Sequence, residues 1–152
     1  MTTRQTTLLQ QIEAQKAEVL RRLEALSPEQ AGKGDWSPAQ VAYHLMRAEE
    51  LLPAPPDGTR VRRKPIFYLG CALLRAAVSI PSKAREEPRN DLPLAELTQR
   101  WSTSREGLRE TLAHTTPGER VALHPVFGAL DAESYLIMLE AHLTYHLKRW
   151  PA

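Results

Sequence analysis

The chain has 152 residues, enough for one domain around one buried core and too few for two full domains. Twenty Lys and Arg against eighteen Asp and Glu leave a formal net charge of +2, which excludes the basic footprint of a dedicated nucleic-acid binder. Apolar residues at 42% and charged residues at 25% exclude global disorder.

Cys71 is the only cysteine. An intramolecular disulfide and a cysteine-based zinc site are therefore excluded, and any metal must be held by His, Asp or Glu. Twelve prolines outnumber seven glycines. Proline breaks helix interiors, so these residues mark helix ends and loops.

In chain order, Leu8, Ile12, Val19, Leu23 and Leu26 recur at helical spacing and predict a long amphipathic helix over 6–26. Ser27 and Pro28 stop it, and Gly32 and Gly34 mark a loop. A strong start signal follows in Trp36-Ser37-Pro38-Ala39-Gln40-Val41. Ser37 is a natural N-cap and Pro38 suits the first helical position. Gln40 can complete a capping box, and Trp36 can staple onto Val41. This second helix is expected to end near Leu52, before Pro53.

Residues 53–92 are too many for a bare loop. Within them, 66–78 predicts a further, mostly buried helix between two Pro-rich linkers. Leu94, Leu97, Trp101, Leu108 and Leu112 predict an amphipathic helix that stops before Thr115-Thr116-Pro117-Gly118. A loop then holds His124-Pro125-Val126-Phe127-Gly128. Asp131 is a good N-cap for a last helix running to about Trp150, with Leu130 able to staple onto Tyr135.

No alternating β pattern of useful length, internal repeat or low-complexity tract is evident. The expected architecture is all-α: one domain over 1–152, an antiparallel four-helix bundle with a helical insert between the second and third core helices. The polar N-terminus lacks the apolar core of a signal peptide, and the apolar stretch at 66–80 is short for a span and carries Arg75. A cytoplasmic protein without membrane or nucleic-acid partners is the expectation.

Five histidines are present: His44, His114, His124, His142 and His146. His142 and His146 stand four apart on the last helix, so both rings can reach one point. Metalloprotease helices use this spacing for zinc, but the glutamate that would follow the first histidine is replaced by Leu143. At about 100° per residue, both rings fall in the inward arc with Leu139, Leu143 and Trp150, opposite Glu140, Thr144 and Lys148. His44 lies on the edge of the second helix's apolar stripe of Val41, Leu45 and Ala48. Three imidazoles from two helices can thus converge. Buried imidazoles must be hydrogen-bonded or ligated. Three histidines around a divalent cation would leave positions open for water or substrate. Ordinary core or surface histidines are the competing reading.

The run Trp36-Ser37-Pro38-Ala39-Gln40-Val41-Ala42-Tyr43-His44-Leu45, followed by Glu49, resembles the second-helix signature of the DinB/YfiT-like superfamily. His124-Pro125-Val126-Phe127-Gly128 resembles the loop leading into that family's last helix, and His142 and His146 match its closing pair. The resemblance runs from the first helix to Trp150. It implies a four-helix bundle with one divalent metal, usually nickel, zinc or iron, on His44, His142 and His146. It also implies a homodimer in many members, and in some a thiol S-transferase or isomerase using a low-molecular-weight thiol. Arg149 departs from the glutamine common three residues after the last histidine.

Among the other features, His124 reads as a structural loop residue and His114 as a partner for helix-end carbonyls. Cys71 reads as a small buried hydrophobe, and Trp101 and Trp150 as core. Arg60, Arg62, Arg63 and Lys64 form a solvated basic loop or a site for an anionic substrate. Tyr43 and Tyr145 can donate to the histidine shell.

The preferred function is a metal-dependent enzyme in which the metal activates a bound thiol or water for S-transfer to an electrophile. No carboxylate is clearly placed as a general base, which argues against the alternative of a metal-dependent hydrolase. Further alternatives are a non-catalytic, stress-associated metal-binding dimer and a metal-free bundle acting in protein interaction. The insert over 53–92 is expected to shape the substrate pocket.

Overall fold

The structure is a computed structural model that describes residues 1–26, 36–51, 53–54, 57–78 and 92–150. It is mostly helical. Five helices, α1 (Thr3–Glu24), α2 (Pro38–Leu51), α3 (Pro65–Arg75), α4 (Leu94–His114) and α5 (Ala132–Lys148), are joined by a hairpin of β1 (Arg120–His124) and β2 (Gly128–Asp131) ahead of α5. Residues 27–35, where a loop is expected, Leu52, Pro55 and Pro56, and residues 79–91, which hold most of the second linker expected over 81–93, lie outside the described residues.

Helix starts follow the local chemistry. The Ser37 N–H donates to Gln40 Oε1 at 2.8 Å while Ser37 Oγ accepts from the Gln40 N–H at 3.2 Å, the expected capping box. Asp131 caps α5 by accepting from the Ser134 N–H at 2.8 Å. At the first helix, Thr2 and Gln5 form a second box, so α1 begins earlier than its apolar spacing implies.

Helix α5 is the spine of the molecule. Nine of its residues are buried, among them every position from Ser134 to Leu139. A helix apolar on all sides must be enclosed on all sides, and α1, α2, α3 and the hairpin all pack on it. The side holding Glu140 and Thr144, expected to be a plain polar face, is covered too. Gln15 of α1 donates to Thr144 at 2.8 Å, and Arg75 of α3 donates to Glu140 at 2.6 Å. Trp101 from α4 and Ile12 and Val19 from α1 fill the core. Trp150 lies just past the end of α5, half-buried, with the Arg22 guanidinium 6.0 Å from its ring.

Two expectations are corrected. The chain is not all-α: β1 and β2 pair antiparallel, Leu123 opposite Ala129 and His124 opposite Gly128. The strands are only five and four residues long, too short to show alternation. Their signal is instead two apolar runs flanking a turn, closed by Gly128 at φ +72°. The start of the insert also runs beside β1, the Ala54 N–H donating to Val121 O and the Arg120 N–H to Thr59 O.

Helix α3 is likewise not mostly buried. Phe67 and Cys71 face inward, while Ile66, Tyr68, Leu69 and Leu73 are exposed.

The hairpin is locked to α3 by Phe127, whose ring meets Phe67 at 5.4 Å between centroids. A Cβ on Gly70 would stand 2.6 Å from that ring. Gly70→Ala should therefore destabilise the fold by about 1–2 kcal/mol, the overpacking cost exceeding the helix-propensity gain. Urea unfolding checks this; a more stable Gly70→Ala would show that Phe127 can swing aside freely.

Candidate metal centre

His44 on α2 and His142 and His146 on α5 come together. All three are half-buried, and their ligating nitrogens lie within 4.8 Å of one another. His142 Nε2 sits 3.1 Å from His44 Nε2 and 3.1 Å from His146 Nε2. Ring nitrogens carry one in-plane site each, either an N–H or a lone pair. His142 Nε2 cannot serve two neighbours well through that one site.

A shared cation removes the conflict. Two nitrogens about 2.0–2.1 Å from a metal at 90–110° are themselves about 2.9–3.4 Å apart. The donor set fits a divalent ion that favours imidazole. Burial pushes the His142 imidazole well below its usual range, aided by the neighbouring His146 and His44. It is therefore neutral and ready to ligate at neutral pH.

Aromatic rings wall the cluster. Trp36 lies 5.0 Å from the His44 ring and stacks on His146 at 6.3 Å, so it reaches the histidines, a role beyond the expected staple onto Val41. Tyr145 meets His146 edge-on at 5.0 Å, and the Arg149 guanidinium lies 5.5 Å over the Tyr145 ring. Arg149 also donates to Ala77 O at 3.2 Å, and Lys148 to Arg75 O at 2.6 Å, tying the end of α5 to the end of α3.

The remaining sequence candidates lie elsewhere. His114 Nδ1 bonds the Glu110 carbonyl at 2.8 Å as a helix-end partner. Cys71 is buried, which pushes its thiol up to about 11 and leaves it unreactive. The basic loop does not approach the histidines. Arg63 pairs with Asp131 and Glu133 at the start of α5, roughly 13–23 Å along the helix from His142 and His146.

His124 is structural, as expected. Its Nδ1 accepts from the Val126 and Phe127 N–H groups at 3.1 and 3.2 Å, and its ring stacks on Phe127. Burial pushes it down to about 4. The unfolded chain then binds this proton more readily than the folded one. The resulting stability is complete above pH 6.5 and is lost as pH falls from 6.5 toward about 4, on the order of 2–3 kcal/mol. His124→Asn should flatten that part of the stability–pH curve; an unchanged slope would assign the acid sensitivity elsewhere.

Sequence reasoning missed Arg105, which is buried in the core. It forms a bidentate pair with Glu49, also buried, joining α4 to α2. The only available hint was an arginine on the apolar stripe of α4, between Trp101 and Leu108.

Fold and site together define a helical protein whose half-buried histidine triad can hold one divalent cation. The chain belongs to the DinB superfamily, whose sequence profile matches residues 11–148. Members of that superfamily often bind metal. No curated protein and no solved structure matches the chain.

Proposed function

We propose that the protein binds one divalent metal ion on His44, His142 and His146 and is a metal-dependent enzyme of the thiol S-transferase type. The observation that carries this reading is the pair of 3.1 Å contacts converging on His142 Nε2, which hydrogen bonding alone cannot satisfy. In this reading α1, α2, α4 and α5 are the four core helices of an antiparallel bundle and α3 is the insert. Nickel, zinc and iron all suit three imidazoles.

A bound cation supplies Lewis acidity, making a thiol or water nucleophilic near neutral pH. The chain's own residues do the rest. The opposing helices α2 and α5 hold the three nitrogens at a fixed spacing. Trp36 and Tyr145 shield the rings and leave less room for water. Among the described residues the cluster contains three histidines and no carboxylate.

The test is direct. Untagged protein is loaded with nickel, zinc or iron, given a low-molecular-weight thiol and a chromogenic alkyl or aryl halide, and followed for thioether formation. A metal-dependent rate that disappears in His44→Ala supports the reading. Equal rates with and without metal, or in wild type and His44→Ala, would leave at most a non-catalytic metal-binding protein.

A further inference from the structure

Helix α3 uses only one of its faces inside the molecule. Phe67 and Cys71 are buried there and Arg75 pairs with Glu140. The outer face is apolar: Ile66 is 62% exposed and Leu69 55%, with Tyr68, Leu73 and the following Val78 exposed as well. The hairpin tip, held to α3 by Phe127 against Phe67, adds Leu123 and Val126, the latter 79% exposed. A patch of large apolar side chains on this scale signals something that covers it.

The charge around the patch says what. No Asp or Glu occurs anywhere in 58–78 or 121–130. Of the cations there, Arg63 and Arg75 are held by internal ion pairs. Arg60, Arg62 and Lys64 are exposed at the start of α3, and among the described residues none of the three has an ion-pair partner. The first turn of α3 has no acidic residue and its N-cap, Lys64, makes no side-chain cap, so the positive end of the helix dipole adds to the same side.

The face therefore couples exposed aliphatic side chains to a positive collar in which Arg62 and Lys64 have no ion-pair partner among the described residues, while Glu119 borders Arg60. A second copy docking face to face would bring cations toward cations and offer no carboxylate. A lipid surface rich in anionic headgroups answers both parts, taking the aliphatic side chains at the acyl boundary and the cations at the phosphates.

We propose that α3 and the hairpin tip form a docking surface for an anionic membrane, engaged reversibly through Ile66, Leu69, Leu73 and Val126 with Arg60, Arg62 and Lys64 on the headgroups. The contact is peripheral: no helix among the described residues is long and apolar enough to cross a bilayer.

Sedimentation of the full chain with vesicles tests this. Vesicles of phosphatidylcholine alone are compared with vesicles containing phosphatidylglycerol, with and without a metal chelator. The expected result is binding to the anionic vesicles only, released by salt and indifferent to the chelator. Arg62→Glu combined with Lys64→Glu should weaken binding about 25-fold or more, at roughly fivefold per lost cation. Ile66→Ser with Leu69→Ser should abolish it while leaving the thermal midpoint in place, because both side chains are already in water. Failure to bind, or equal binding to both vesicle types, overturns the proposal. So does a concentration-dependent dimer that Leu69→Asp dissociates, with no vesicle binding, which would give the face to a second copy.

Discussion

Replacing His142 by alanine should abolish stoichiometric metal binding while leaving the fold intact. His142 is the hub of the triad: its Nε2 is the atom within 3.1 Å of both other ligand nitrogens. Removing even an outer-shell partner of a metal ligand costs about 10–100-fold in affinity, so removing the hub itself should cost more. His44 and His146 are left as two donors on different helices. Elemental analysis of untagged, metal-loaded protein reads the stoichiometry. Trp36 gives a second readout, because its ring lies 5.0 Å from His44 and stacks on His146. Nickel should quench its emission in wild type, leave it unchanged in His142→Ala, and bind silently in Trp36→Phe. Stability separates ligand loss from misfolding. Metal at a hundredfold excess over its Kd should stabilise wild type by about 2.7 kcal/mol and the variant not at all. Without metal the two should unfold within about 1 kcal/mol of each other, since the ring's hydrogen-bond partners among the described residues are only the two other histidines. Equal metal content in wild type and His142→Ala would remove the metal centre from this protein.

That this triad could be anticipated follows from the periodicity of helices. His142 and His146 share a face because 3.6 residues make a turn, and His44 falls at the edge of an apolar stripe that must turn inward. Ser37 with Gln40 and Asp131 with Ser134 were equally legible, because a cap is a local hydrogen bond written in adjacent residues. The hairpin was not. Val121 to Leu130 is short and nearly all apolar, and pairing between two such strands leaves no alternation for a pattern to show. The exposure of α3 was hidden for a different reason. An apolar sequence demands burial, but nothing in it says whether the cover comes from its own chain, and here only Phe67 and Cys71 are covered. Arg105 was missed because its environment is tertiary: a charged residue on an apolar stripe becomes intelligible only once Glu49 arrives from another helix.

That pair carries the second large effect. Glu49 and Arg105 are each about 2% exposed at the side chain and bonded at both carboxylate oxygens. Burying both charges cost solvation that their mutual contact now offsets, so removing one strands the other. Arg105→Met should destabilise by about 3–5 kcal/mol. Glu49→Leu should cost somewhat less, because Arg105 keeps a second carboxylate, Glu13, at 3.3 Å. The double variant Glu49→Leu with Arg105→Met should recover most of the loss, since apolar side chains of similar volume need no partner. Disrupting the exposed Arg21–Glu18 pair, by contrast, should leave stability nearly unchanged. Urea unfolding of the four proteins closes the cycle. A loss below about 1 kcal/mol in Arg105→Met would show that water reaches Glu49. The pair also bears on the histidine cluster through α2. Glu49 lies five residues beyond His44 on α2, so Arg105 ties to α4 the helix that carries His44, the proposed ligand from outside α5. Loosening it should weaken metal binding through the position of His44, a shift that appears in affinity while the stoichiometry stays at one.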